Sequence, residues 1–336
     1  MEVAFTEWVA VTDASSVGEA RRAAILAANR LGFDETESGK LALLVTEASR
    51  NVLLHGRGGQ MLLAGIADEG DVLARVLAID NGEGIANIAE AIRDGFSTGG
   101  TMGGGLGAMK RMATNLDIFT GRNGTVVMFE MGKSGPQQSG PKRNLQIAGF
   151  AVPYPGERVC GDAWFSYQTS QRSVVLLADG LGHGWGASEA ATEAVATFRQ
   201  RAELAPAEIL SYVHDALRKT RGAVAAVAEI RPVEGLLIYA GVGNISGVVL
   251  DGSTSRSLVS HSGTLGMMTP KIQEFRSSWS PNSMLVLHSD GLQSKWDLSA
   301  YAGLISRHPA VIGGALLRDF RRQRDDVSVV VVAKVA

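Results

Sequence analysis

The chain has 336 residues, of which 45% are hydrophobic and 20% charged, and a formal net charge of −2. That length predicts two domains or one large one, and the near-neutral balance gives no general electrostatic pull toward nucleic acid or an anionic membrane. One cysteine, Cys160, excludes an intramolecular disulfide scaffold and suits a reducing, cytoplasmic compartment. The opening residues lack the basic and apolar regions of a signal peptide. No apolar run reaches about 18 residues, so no membrane span is expected.

Alternation over residues 3–10 predicts a strand, and Asp13 or Ser15 then caps a helix through about Leu31. A second helix is predicted over 35–54, strands over 61–67 and 72–78, and a short helix over 86–93. A glycine-rich stretch leads into a helix ending near Met112, and 116–120 and 125–130 read as a last pair of strands. Helices first and strands after suit an α/β sandwich. Residues 132–144 are glycine, proline and polar residues without periodicity, a linker between a domain at 1–131 and another at 145–336. The second segment predicts strands near 147–152, 164–169, 174–178, 223–230, 235–240, 246–250, 284–288 and 327–333. Its helices fall near 186–200, 206–218 and 309–320, and 219–256 has the short runs and turns of a meander. Two sheets, each with a helical layer outside, satisfy this order.

The first segment carries a candidate nucleotide site. Glu47 and Asn51 are four apart on a helical pattern and share a face. A carboxylate there can activate a hydroxyl, and an amide oxygen can complete a magnesium sphere; both could equally be solvent-face residues. Asp80 ends an apolar strand ahead of Gly82 and Gly84, where a carboxylate can accept from a purine amino group or simply shape a turn. Residues 99–107 hold six glycines in nine positions, including Gly103, Gly105 and Gly107 around Leu106, before a helix. Exposed amides at such a helix start suit phosphate, and Thr125 after the last hairpin turn could add a hydroxyl.

In this order the segment resembles the GHKL ATP-binding (Bergerat) fold of histidine kinases, gyrase B and anti-sigma-factor serine kinases. Residues 43–55, with Glu47 and Asn51, resemble the N box of the RsbT/RsbW serine-kinase branch. Asp80-Asn81-Gly82-Glu83-Gly84-Ile85 resembles the G1 box, and 94–98 with 103–107 the lid and G2 region. The resemblance implies that ATP and Mg2+ are bound, with Asn51 on magnesium, Asp80 on adenine and Glu47 activating a protein serine or threonine hydroxyl.

The second segment places aspartates where buried runs begin or end: Asp162 before 163–167, Asp179-Gly180 after 173–178, Asp290-Gly291 after 283–289, and Asp325-Asp326 before 327–332. Asp-Gly is common in turns. Several carboxylates converging on one rim, however, need a compensating cation, and oxygen donors suit hard divalent ions. Two bridged ions can activate water toward phosphorus. With few histidines and one cysteine, zinc is not expected. His183 reads as a residue that fixes its loop, and Cys160 as packing. Asp326 either joins the site or supports Asp325.

This order resembles the PP2C-type metal-dependent serine/threonine phosphatases in the SpoIIE/RsbU/RsbX branch, an α-β-β-α sandwich. The segments that carry the resemblance are Cys160-Gly161-Asp162-Ala163-Trp164-Phe165, Ala178-Asp179-Gly180-Leu181-Gly182-His183-Gly184, Ser289-Asp290-Gly291 and Arg324-Asp325-Asp326-Val327-Ser328. Cysteine replaces the first glycine of that branch's Gly-Gly-Asp segment. The resemblance implies two Mn2+ or Mg2+ ions held by Asp162, Asp179, the Gly180 carbonyl, Asp290 and Asp325. The expected protein is then a two-domain α/β bifunctional switch. It would phosphorylate and dephosphorylate STAS-domain partners and associate with a switch kinase or anti-sigma factor. An ATP-regulated phosphatase and a non-enzymatic partner-switch scaffold are the other readings.

Overall fold

The computed structural model describes residues 2–68, 71–92, 105–133, 144–252, 254–267 and 271–334. Two compact units emerge: Glu2–Gly140 with Ala300–Asp319, and Pro141–Ser299 with Phe320–Ala336. Ten of the residues expected as a linker, 134–143, lie outside the described residues.

The first unit is built from β1 (Glu2–Val11), α1 (Ala14–Arg30), α2 (Glu35–His55), β2 (Gly59–Asp68), β3 (Asp71–Asp80), α3 (Ile88–Ala91), α4 (Gly105–Met112), β4 (Asn115–Gly121) and β5 (Gly124–Gly132). Asp13 caps α1 by accepting the Ser15 and Ser16 N–H groups, and Asp34 with Glu37 forms a reciprocal box at the start of α2. The strands form one antiparallel sheet in the order β1-β2-β3-β5-β4. One face buries Met61, Leu63, Val76, Val127 and Phe129 against Leu41, Leu44, Val45 and Ala48 of α2. Each such side chain contributes roughly 1.5–3 kcal/mol on burial.

The second unit holds β6 (Leu145–Val152), β7 (Asp162–Gln168), β8 (Ser173–Gly180), α5 (Trp185–Arg201), α6 (Pro206–Ala216), β9 (Ala223–Arg231), β10 (Leu236–Val242), β11 (Ser246–Asp251), β12 (Thr254–Ser257), β13 (Phe275–Ser278), β14 (Ser283–His288) and β15 (Val327–Lys334). Its sheets run β13-β10-β9-β8-β7 and β12-β11-β14-β15-β6. Helices α5 and α6 cover the first of these through Ala190, Ala194, Phe198, Ile209, Leu210 and Val213. The chain order is that of a PP2C-like α-β-β-α sandwich. Residues 219–256 are not one meander. β9 pairs with β10 in one sheet, whereas β11 pairs with β12 in the other. The switch follows Gly243, whose φ of +94° turns the chain where a side chain would be strained.

The remaining helix, α7 (Pro309–Phe320), lies between β14 and β15 in sequence but clusters with the first unit. Both faces of that unit's sheet are consequently apolar. Leu62, Leu77, Ile79, Val126 and Met128 are buried on the side away from α2. A Cβ at Gly314 would fall 2.8 Å from the Leu77 side chain and 2.9 Å from that of Val126, so α7 approaches the sheet closely at this glycine. Asp117 anchors the entry to α7, accepting the His308 N–H at 2.7 Å and an Arg307 guanidinium N–H at 3.2 Å. Among the described residues no helix is long and apolar enough to cross a membrane.

Candidate nucleotide and metal sites

In the first unit, α2 presents Glu47 and Asn51. The Glu47 carboxylate takes a bond from Arg50 at 3.2 Å and stays partly exposed. Asn51 faces the start of α4, where its amide nitrogen lies 3.4 Å from a Cβ built at Gly105, ordinary contact distance. Leu106 and Gly107 follow on the first turn of α4. Asp80 closes β3, and its Oδ1 accepts the Gly82 N–H at 2.9 Å and the Thr125 N–H at 3.0 Å. Burial pushes the Asp80 carboxyl up, opposed by those two N–H groups and by the charges of Arg318 and His55. Gly124, at φ +115°, brings its backbone directly against the Asp80 carbonyl. The Thr125 hydroxyl is 3.1 Å from that of Thr120, which accepts the Ile85 N–H just beyond Gly84. Asp80, Gly82, Gly84 and Thr125 are thus drawn together. Gly103 and the expected lid at 94–98 lie outside the described residues.

In the second unit, β7 and β8 place Asp162 directly opposite Asp179 in the antiparallel ladder. Like charges opposite each other destabilise a sheet unless something neutralises them. Asp162 is buried; its Oδ2 accepts the Ser289 hydroxyl at 2.6 Å, while its Oδ1 has no hydrogen-bond partner. The Ser289 oxygen also accepts the Ser328 N–H at 2.9 Å, tying the ends of β14 and β15 to the same point. Burial pushes the Asp179 carboxyl well up, and Asp162, Asp290, Asp325 and Asp326 push it in the same direction. Asp162 is raised by burial, and Asp326 and Asp325 add to this against the Ser289 and Ser328 bonds. Five carboxylates therefore share one field. Gly180 lets this turn pack on the Ala187 backbone of α5, where a Cβ would collide with the Ala187 carbonyl.

Asp290 is held by the Asn244 amide at 2.8 Å. Asp326 accepts the Tyr154 N–H at 2.7 Å through Oδ1, and its buried Oδ2 has no hydrogen-bond partner. Among the described residues, no three acidic, histidine or cysteine side chains already stand at closed metal-ligand spacing. The donor set nevertheless fits hard divalent cations: only oxygens in a like-charge cluster, with the buried Asp162 Oδ1 orphaned within the set and the Asp326 Oδ2 orphaned beside it. His183 is turned away to Glu157, at 2.9 Å, and stacks on Tyr154 with ring centroids 5.1 Å apart, the loop-fixing role read from the sequence. Burial pushes the Cys160 thiol up, with Asp162 and Asp326 adding to the effect, so it is not an activated thiolate.

Each unit has counterparts among known protein families. The histidine kinase-like ATPase domain family matches residues 10–131, and the family described as stage II sporulation protein E (SpoIIE) matches 169–334. Serine/threonine-protein kinase RsbT of Bacillus subtilis (strain 168) is 34% identical over 113 residues, which is 34% of this chain and 80% of that protein. The chain belongs to the RsbT-like GHKL kinase family, fused to a SpoIIE-like PP2C domain. Phosphoserine phosphatase RsbX of the same organism is 24% identical over 151 residues, 44% of this chain and 75% of that protein. A solved structure described under "The bacterial stressosome: a modular system that has been adapted to control secondary messenger signaling" matches with a TM-score of 0.53 and 28% identity. It covers 56% of this chain and 100% of its own. The SpoIIE match spans α7, although the helix packs with the GHKL-type unit.

Sequence reasoning missed several residues that shape these sites. Ser289 and Asn244, which hold Asp162 and Asp290, left a signal in Ser289-Asp290 and Gly243-Asn244 at strand ends. Tyr154 acts through its backbone, which no side-chain pattern reports. Arg318 lies far from Asp80 in sequence, and only the placement of α7 brings its charge there.

Proposed function

We propose that the chain is a bifunctional partner-switch regulator. Its GHKL-type unit would transfer phosphate from ATP to a serine or threonine of a STAS-domain partner, and its PP2C-like unit would hydrolyse phosphoserine or phosphothreonine on such a partner. The carrying observation is the cross-strand Asp162–Asp179 pair inside a five-carboxylate field with two orphaned oxygens. Asp162, Asp179, the Gly180 carbonyl, Asp290 and Asp325 would hold two Mn2+ or Mg2+ ions. When bound, these ions lower the pKa of a coordinated water and neutralise phosphoryl charge. Ser289 and Asn244 fix the orientation of Asp162 and Asp290, and Asp326 holds the β15 entry against Tyr154. In the hydrolysis, a bond forms from water oxygen to phosphorus as the phosphorus–serine oxygen bond breaks. The serine oxygen gains a proton and inorganic phosphate leaves.

In the first unit, ATP with Mg2+ would bind between α2 and α4. Asp80 keeps Oδ2 for the adenine amino group, because Oδ1 is occupied by Gly82 and Thr125. Asn51 would complete the magnesium sphere, Gly103, Gly105, Leu106 and Gly107 would cradle phosphate, and Glu47 would orient the attacking hydroxyl. Similarity to RsbT, RsbX and the stressosome structure supports a partner-switch role, in which a STAS-domain protein would be the substrate and a switch kinase or anti-sigma factor an associate. The test is phosphosite mapping of STAS candidates incubated with purified chain and ATP–Mg2+, followed by Mn2+-dependent phosphate release. Absence of both reactions across a broad partner panel overturns the reading.

One observation favours a second reading, a phosphatase regulated by a non-catalytic nucleotide domain. The segment between Asp290 and Asp325 runs through α7, whose Arg318 acts on Asp80. Nucleotide that alters hydrolysis without any transfer, even in wild type, would establish that alternative.

A further inference from the structure

The metal turn has a guanidinium beside it that the carboxylate chemistry leaves unused. In the β8–β9 ladder Gly180 pairs with Ala223, so Arg221 stands two residues beyond the register position of the metal turn. The Leu181 N–H donates to the Gly222 carbonyl at 3.1 Å, which fixes this strand end against the turn. The Arg221 side chain lies along the same turn. Its Nη1 is 3.5 Å from a Cβ built at Gly182, and its Nε is 2.5 Å from one built at Gly186. Any side chain at Gly186 would displace the guanidinium.

Arg221 is exposed and makes no hydrogen bond or ion pair among the described residues. Several other arginines of this unit are engaged: Arg172 with Glu229 and the carbonyls of Ala202, Glu203 and Leu204, Arg231 with Glu229 and Glu234, and Arg321 with the Pro153 carbonyl. Arg221 is therefore a cation packed on the glycines of the rim that follows Asp179-Gly180, bonded to none of the carboxylates among the described residues. A phosphoserine dianion approaching metal held by Asp179 would meet that rim. Five N–H donors in a planar fork match phosphoryl oxygens better than an ammonium does.

We propose that Arg221 binds the phosphoryl oxygens of the substrate and of the product phosphate, and so sets affinity for phosphorylated protein. This rests on the phosphatase reading of the Asp179 centre. The experiment uses the full chain loaded with Mn2+ and three variants, Arg221→Ala, Arg221→Gln and Arg221→Lys. Calorimetry measures inorganic phosphate binding directly, and steady-state hydrolysis of p-nitrophenyl phosphate and of a phosphoserine protein gives KM and kcat. Loss of a charge-assisted bidentate contact predicts about 10- to 100-fold weaker phosphate binding and a matching rise in KM for both substrates. Mn2+ affinity should stay within about twofold, and lysine should restore part of the loss where glutamine does not.

Phosphate affinity and KM within twofold of wild type in Arg221→Ala overturn the assignment. So does an equal loss of Mn2+ affinity, which makes Arg221 a support of the metal turn. A wild-type chain that binds Mn2+ and phosphate without hydrolysing either substrate overturns the phosphatase reading, while the calorimetric comparison still decides Arg221.

Discussion

The two sites differ in what they need from a ligand. Around Asp80, burial pushes the half-buried carboxyl up, but two N–H groups bond its Oδ1 and the charges of Arg318 and His55 offset part of the rise. That pocket is largely satisfied before anything enters. Around Asp179, burial and then the neighbouring carboxylates push the carboxyl up, and two buried oxygens of the cluster lack partners. That centre is electrostatically unfinished, because uncompensated buried charge costs more than a pair gains. On the proposed function, the first site would select by shape and hydrogen bonding, whereas a cation would relieve the unfavourable charge of the second. Ion binding should therefore stabilise the second unit more than nucleotide stabilises the first.

The sharpest way to break this comparison is Asp179→Asn. Hydrolysis should fall about 1,000-fold or more, since metal activation supplies several kcal/mol. In chelator the variant should melt at or above wild type, because one member of the facing Asp162–Asp179 pair has lost its charge. Its melting temperature should then rise far less than wild type's on adding Mn2+. A variant less stable than wild type in chelator would show that the carboxylates are not in conflict. The next largest effect is Glu47→Ala. Phosphate transfer should drop about 100- to 10,000-fold, the range for a lost general base. Nucleotide affinity should hold within a few fold, because the Asp80 bonds lie elsewhere. Equal loss of both would place Glu47 in binding rather than in the transfer step.

Much of both sites was legible because their residues sit where a periodic pattern stops. Asp80, Asp179 and Asp290 each follow an apolar strand with a glycine one or two residues on, and Glu47 and Asn51 keep a helical spacing. Strand ends on one rim gather such residues without any need to know the pairing. What the pattern does not carry is which sheet a strand joins. β10 and β11 look like neighbours in a meander, and only the turn at Gly243 sends them to different sheets. The placement of α7 was equally hidden. Its apolar run, Pro309 to Leu317, has no polar stripe to show which surface it covers. The clue available was Gly313-Gly314, costly inside a helix and explained by close approach to Leu77 and Val126.

That approach gives the next prediction. Gly314→Leu should destabilise the chain by about 1–3 kcal/mol, the cost of overpacking a filled interface. Urea unfolding measures it, and Gly39→Leu, at a position where a Cβ meets nothing within 4 Å, is the control. The nucleotide pocket should feel the substitution more than the metal centre does, because α7 carries Arg318 toward Asp80. Nucleotide affinity that is unchanged while Mn2+ affinity falls would reverse the comparison between the sites.

The smallest effect lies at the start of the same helix. His308 Nδ1 accepts the Ala310 N–H at 3.1 Å, which requires an unprotonated ring nitrogen. Burial and then Arg75 push its pKa down to about 4 from 6.5, while Glu130 and Asp117 oppose them. Arg75 is in turn bonded to Glu130 at 2.6 Å, so the opposing charge is already shared. A depressed pKa in the folded chain means that the unfolded chain binds more protons between about pH 6.5 and 4. The stability from a neutral His308 is therefore fully present above about 6.5 and lost as pH falls through that window. Asparagine can cap the helix without titrating. His308→Asn should match wild type within roughly 1 kcal/mol at pH 7.5 and lose less stability on going to pH 5, as read by urea unfolding at each pH. Parallel losses in the two proteins would show that His308 accepts its proton as easily folded as unfolded, and that the entry to α7 is wetter than its contacts indicate.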